Sequence, residues 1–93
     1  MSDYRWIVYV WQAVPGGENS DPQRVGSLSE ARDKADQFGM DMGGITDVCG
    51  MIYPYSEEDW ASAEQFRGIG NPFDYPTKVI EMGPSGGVRI INA

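Results

Sequence analysis

Tyr4-Arg5-Trp6-Ile7-Val8-Tyr9-Val10-Trp11-Gln12-Ala13-Val14, residues 4–14, is the stretch that decides the fold. It is rich in aromatic and β-branched residues, the types that suit a pleated backbone. A period of two puts Tyr4, Trp6, Val8 and Val10 on one face and Ile7, Tyr9, Trp11 and Ala13 on the other. Both faces are apolar. Such a strand is either central and covered on both sides, or it leaves an aromatic face for another protein to cover.

Working outward, Pro15-Gly16-Gly17 followed by Glu18, Asn19, Ser20, Asp21 and Pro22 reads as a turn or loop, and residues 23–25 leave room for a short return strand. Ser27 and Glu30 have the spacing of a capping box, and Leu28, Ala31, Ala35 and Phe38 recur at helical spacing up to Gly39. A first helix over 28–38 follows, with Gly39 as its stop. After a glycine-containing segment at 39–44, residues 45–55 carry Ile45, Val48, Met51, Ile52, Tyr53 and Tyr55 and read as a second strand, bulged near Gly50. Ser56 caps a second helix that starts with Glu57-Glu58-Asp59 and ends near Arg67, before Gly68. Residues 68–76 form a loop, ordered if Phe73 and Tyr75 pack and a recognition loop if they do not. Residues 78–82 and 88–91 flank Gly83-Pro84-Ser85-Gly86-Gly87, a hairpin signal. The expected architecture is α+β. A single domain over 1–93 has the order β-α-β-α-β-β and a four-stranded, mixed or antiparallel sheet, with both helices packed on one face.

Ninety-three residues suffice for one core, which buries roughly 60–65% of the surface exposed by the unfolded chain. Cys49 is the only cysteine, so no internal disulfide forms, and residues 1–5 lack the basic start and apolar run of a signal peptide; a cytoplasmic protein is expected. The longest apolar run, Trp6 to Trp11, is far short of the roughly 20 residues that span a bilayer, which argues against a membrane partner. The seven bases, Arg5, Arg24, Arg32, Lys34, Arg67, Lys78 and Arg89, are scattered rather than striped, which argues against direct nucleic-acid binding.

The chain has no histidine, the commonest general base and transition-metal ligand. Cys49, between Val48 and Gly50, is expected to be a buried, inert thiol. Gly83, Gly86 and Gly87 lack the lysine and following helix of a phosphate loop. Asp36, Asp41 and Asp47 do not have the spacing of a calcium loop. No catalytic residue, cofactor or metal is assigned, and the chain is not read as an enzyme.

The charge is concentrated. Residues 30–64 hold nine acids and two bases, a balance of −7 that equals the net charge of the whole protein. Glu30, Asp33 and Asp36 of the first helix, and Glu57, Glu58 and Asp59 of the second, are expected to present an acidic face to a partner if both helices share a side. Trp6, Trp60 and Phe66 are assigned to the core. Trp11, Tyr53, Tyr55, Phe73 and Tyr75 exceed what one small core hides, so some are expected at an interface beside those acids.

In its shortness, acidity and glycine content, and in the phrase Arg24-Val25-Gly26-Ser27-Leu28-Ser29-Glu30-Ala31-Arg32, the chain resembles the small acidic orphan proteins encoded in accessory regions of bacteriophage genomes. The resemblance transfers no functional residue. It implies a protein that acts in the host cytoplasm by binding a host protein and inhibiting or redirecting it, sometimes by imitating the charge of DNA. The alternative expectation is a structural or assembly protein that forms homo-oligomers through a sheet edge.

Overall fold

The computed structural model describes residues 3–13, 21–41, 43, 47–84 and 86–93. Seven elements follow in the order β1 (Trp6–Gln12), β2 (Gln23–Val25), α1 (Leu28–Asp41), β3 (Val48–Pro54), α2 (Glu57–Gln65), β4 (Lys78–Met82) and β5 (Val88–Asn92). The loop expected at 15–20 and the start of the second strand expected at Ile45 lie outside the described residues.

The chain is a single α+β domain, but its sheet has five strands rather than four. Their order is β2-β1-β3-β4-β5 and every pairing is antiparallel. The additional strand is the three-residue return at 23–25, which pairs with β1 through Trp6↔Val25, Ile7↔Arg24 and Val8↔Gln23. The larger correction concerns the helices, which pack on opposite faces of the sheet. Ala31 and Ala35 of α1 lie in one buried cluster with Val8, Val10, Val25, Val48, Ile52 and Ile80, against which Trp6, Leu28 and Phe38 pack. Ala63 of α2 lies in a second cluster with Ile7, Tyr9 and Tyr53, flanked by Trp11, Met51, Tyr55, Trp60 and Phe73. The two-faced character of β1 requires this arrangement. Helices stacked on one side would leave Ile7, Tyr9 and Tyr53 in water, and a fully buried side chain of this size contributes about 1.5–3 kcal/mol.

Both helices start as their sequences indicate. Ser27 Oγ accepts from the Glu30 amide at 3.1 Å, while Glu30 Oε1 reaches back to accept from the Gly26 amide at 3.3 Å. Ser56 Oγ accepts from the Asp59 amide at 3.0 Å. The end of the first differs from expectation. Helix α1 runs through Gly39 to Asp41, because Gly39 serves packing: a Cβ there would sit 3.2 Å from Val48 Cγ2. The positive φ that follows the helix belongs to Gly43, whose amide donates to the Met40 carbonyl. Helix α2 stops at Gln65, with Phe66 as its C-cap, close to the end expected near Arg67.

No bulge interrupts β3, since its register with β1 runs unbroken from Trp6↔Pro54 to Gln12↔Val48. Gly50 is required for close approach instead. A Cβ at this position would meet the Tyr9 carbonyl oxygen at 2.5 Å and Ile80 Cδ1 at 2.9 Å. Among the described residues no helix is long and apolar enough to cross a membrane.

Candidate docking surface on the α2 face

The second face of the sheet is built from rings. Alternation along β1 and β3 sends Ile7, Tyr9, Met51 and Tyr53 to the same side, in the ladder pairs Ile7↔Tyr53 and Tyr9↔Met51. The Tyr9 and Tyr53 rings meet edge to face at 6.1 Å, and Phe73 caps them at 4.9 Å from Tyr53 and 6.4 Å from Tyr9. Asn71 fixes that cap. Its Nδ2 donates to the Tyr53 hydroxyl at 2.7 Å, its Oδ1 accepts from the Phe73 amide at 2.8 Å, and the Tyr53 hydroxyl donates to Met51 Sδ at 3.1 Å. The loop at 68–76 is therefore ordered by Phe73, whereas Tyr75 points outward with 91% of its surface exposed.

Among the described residues, one buried polar atom in this layer has no partner. The Tyr9 hydroxyl is buried without a hydrogen bond, and burial, reinforced by the neighbouring Tyr53, pushes its pKa up to about 12. Tyr53 is raised as well, by burial, against the opposing effect of its hydrogen bond from Asn71.

The three acids that open α2 stand beside this aromatic layer. Glu57 and Glu58 are exposed and Asp59 is half-buried, and among the described residues none of the three forms an ion pair. Glu64 is committed differently. It accepts from Arg67 at 2.7 Å, which holds its carboxyl below the usual range, and Arg67 also pairs with Asp21 at 3.1 Å. Tyr55 and Trp60 are half-buried at the start of α2 and make, with Tyr4, a three-ring cluster around the Arg24 guanidinium.

The predicted partner residues thus separate. Glu57, Glu58, Asp59, Trp11, Tyr53, Tyr55 and Phe73 all belong to the α2 side, and Tyr75 stands out from the loop that caps it. Tyr53, at 4% exposure, supports the surface from beneath. Glu30, Asp33 and Asp36 are exposed on α1, across the sheet, so the acids of the two helices do not share a face. The α1 side also has an open groove of about 420 Å³ lined by Leu28, Ser29, Arg32, Lys78, Arg89 and Ile90. Ile90 belongs to the α1-side cluster, so its neighbour Arg89 directs its side chain to the other face, where Nε donates to Glu81 Oε1 at 2.8 Å.

Three further assignments change. Phe66, expected in the core, is 38% exposed at the α2 C-cap. Trp6 and Trp60 pack against the clusters but are only half-buried. Cys49 is half-buried rather than buried, and its thiol is pushed up by burial, with Asp47 and Glu81 adding to the effect, which keeps it protonated. Sequence reasoning missed Tyr4, Tyr9, Arg24 and Asn71. The roles of Tyr4 and Arg24 depend on the short return strand at 23–25, and those of Tyr9 and Asn71 on the loop that brings Phe73 over β1 and β3.

No protein-family model matches this chain, and neither a curated protein nor a solved structure matches it.

Proposed function

We propose that the chain is a non-enzymatic protein-binding module, of the kind bacteriophage accessory proteins provide. In this reading it docks on a basic surface of a host protein in the host cytoplasm and modulates or inhibits that protein. The observation that carries the reading is the juxtaposition on one face of an acid triplet, Glu57-Glu58-Asp59, without ion pairs among the described residues, and the half-exposed rings Trp11, Tyr55, Trp60 and Phe73. Aromatic side chains supply interface area at low entropic cost, and a carboxylate rim steers a basic partner to them. The acids of α1 contribute to the long-range field from the other side.

The test is capture of partners from a bacterial lysate at low and high salt, using the wild type and a Glu57→Lys/Glu58→Lys variant. A basic protein retained by the wild type at low salt, released at high salt and lost by the variant is the expected result. Retention of the same protein by the variant would overturn the acidic docking face. A sharper form has the acids imitate DNA phosphates. Competition between DNA and this chain for one site on the partner is then expected, and simultaneous binding would exclude it.

A second reading has its own observation. Strand β5 is an outer strand of the sheet, in continuous register with β4 over five residues, and contains neither proline nor lysine to discourage edge pairing. An assembly protein would use that edge to form a homo-oligomer. Light scattering at micromolar concentration separates the two, an oligomer favouring assembly and a monomer favouring docking.

A further inference from the structure

The Arg24 guanidinium is enclosed by rings from three separate parts of the chain. Its Cζ lies 4.4 Å from the centroid of Tyr4, which precedes β1, and 5.0 Å from that of Trp60 in α2. Its Nη1 donates at 3.4 Å to the hydroxyl of Tyr55, which follows β3, and the Tyr4 and Tyr55 rings are 5.6 Å apart and tilted by 49°. Together the three side chains form a box of the type that selects cations, because Tyr4 and Trp60 present the negative faces of their quadrupoles and Tyr55 offers a hydroxyl acceptor.

What holds Arg24 there is weak. Among the described residues it pairs with no carboxylate, its one side-chain hydrogen bond is long, and it sits half-buried on an edge strand from which its side chain can turn into water. Glu57 adds a favourable field at the box, since it helps to stabilise the Arg24 charge after the larger contribution of the Tyr55 hydrogen bond. The box therefore joins the acid triplet of the docking face, and a second cation could exchange for Arg24 at little net cost.

We infer that the Tyr4–Tyr55–Trp60 box is the recognition pocket for an arginine side chain of the partner, and that Arg24 is its internal placeholder. This inference rests on the reading of the α2 face as a docking surface for a basic partner. Charge complementarity identifies the occupant. The planar guanidinium already in the box shows the shape it accepts, and Glu57 supplies negative charge beside it.

The experiment is a titration of the full chain with N-acetyl-arginine amide, followed by amide and tryptophan-indole NMR shifts, with the uncharged N-acetyl-citrulline amide as control. Arg24→Ala should bind the arginine probe saturably, with shifts at Tyr4, Tyr55 and the Trp60 indole. Its affinity should be about fivefold tighter than that of the wild type, the factor expected if a placeholder held by two exposed cation–π contacts of the weakest kind is removed. Trp60→Leu in the same background should abolish the response. Should Arg24→Ala fold poorly, Arg24→Met keeps the apolar stem and serves the same purpose. A folded variant that shows no saturable shift, or responds equally to the citrulline probe, would overturn the box. The probe needs no partner protein, so the two readings can fail separately. Loss of salt-sensitive capture overturns the docking face without touching the box, and a silent titration overturns the box without touching capture.

Discussion

The two faces of this sheet bury their side chains by different means. The α1 face is aliphatic, and its cluster draws on all five strands, from Val25 in β2 through Val8, Ile52 and Ile80 to Val88 and Ile90 in β5. Shape alone satisfies such residues, and Val8, Val25, Ala31, Ala35 and Ile52 have no exposed surface. The α2 face is aromatic and its cluster reaches only β1 and β3 of the sheet, because a nine-residue helix covers less than a fourteen-residue one. Val79 of β4 and Ile91 of β5 point to that side and stay partly exposed. Aromatic burial also carries polar tips that need partners, and Tyr53 has found one whereas Tyr9 has not. The closed aliphatic face buries its central side chains almost fully, and the half-covered aromatic face is the one proposed above for docking.

The largest effects should fall on the closed face. Ile52→Ala opens a cavity under α1 and should cost about 3–4 kcal/mol in urea unfolding, and Gly50→Ala, by forcing the Tyr9 carbonyl and Ile80 apart, should cost about 3 kcal/mol. Phe73→Ala on the open face, where the ring is only half-buried, should cost about 2 kcal/mol. If Phe73→Ala proves the most damaging of the three, the assignment of stability to the α1 face is wrong.

A finer contrast lies within the aromatic layer. Tyr53→Phe removes the hydroxyl that bridges Asn71 and Met51 and should cost about 1 kcal/mol, while Tyr9→Phe removes a buried hydroxyl without a partner among the described residues and should be neutral or stabilising. A loss in Tyr9→Phe equal to that in Tyr53→Phe would show that the Tyr9 hydroxyl has a partner after all.

Alkaline titration sharpens the same point. The folded Tyr9 phenol ionises at about 12, above its ordinary value of 10, so the unfolded chain gives up its proton first as pH rises. The stability associated with a neutral, buried Tyr9 is complete below pH 10 and lost between about pH 10 and 12. Tyr9→Phe should flatten that part of the stability curve, and an unchanged curve would mean that the hydroxyl is not desolvated.

The acids should matter less to the fold than to association. Glu57→Lys/Glu58→Lys opposes the dipole at the start of α2 and should cost about 1 kcal/mol of stability. It should slow association with a basic partner about tenfold and flatten the salt dependence of the on-rate, whereas Asp33→Lys/Asp36→Lys on the other face should change the rate less. Equal effects from the two pairs would mean that only net charge matters and neither face is the docking face.

Much of this architecture was legible in local pattern. Alternation in residues 6–12, the caps at Ser27 and Ser56 and the final hairpin are short-range signals, and each appears at its place in the structure. Gly39 and Gly50 were misread because a glycine that stops a helix or makes a bulge looks the same in sequence as one that lets another element approach. The candidate site was harder to read. Arg24, Tyr4 and Asn71 act across 18 to 51 residues of chain, as in the contacts between Asn71 and Tyr53 and between Tyr4 and Tyr55, and no spacing rule reaches that far.

The sequence by itself determined that β1 has two apolar faces, that two capped helices exist to cover them, and that the excess negative charge lies in residues 30–64. Only the tertiary structure decided that the helices take opposite sides and so divide the acids between two surfaces. The physical reason is that helical and strand periodicities specify which stripe of each element is apolar, while the side of the sheet that a helix occupies depends on where the rest of the chain leaves apolar surface unburied.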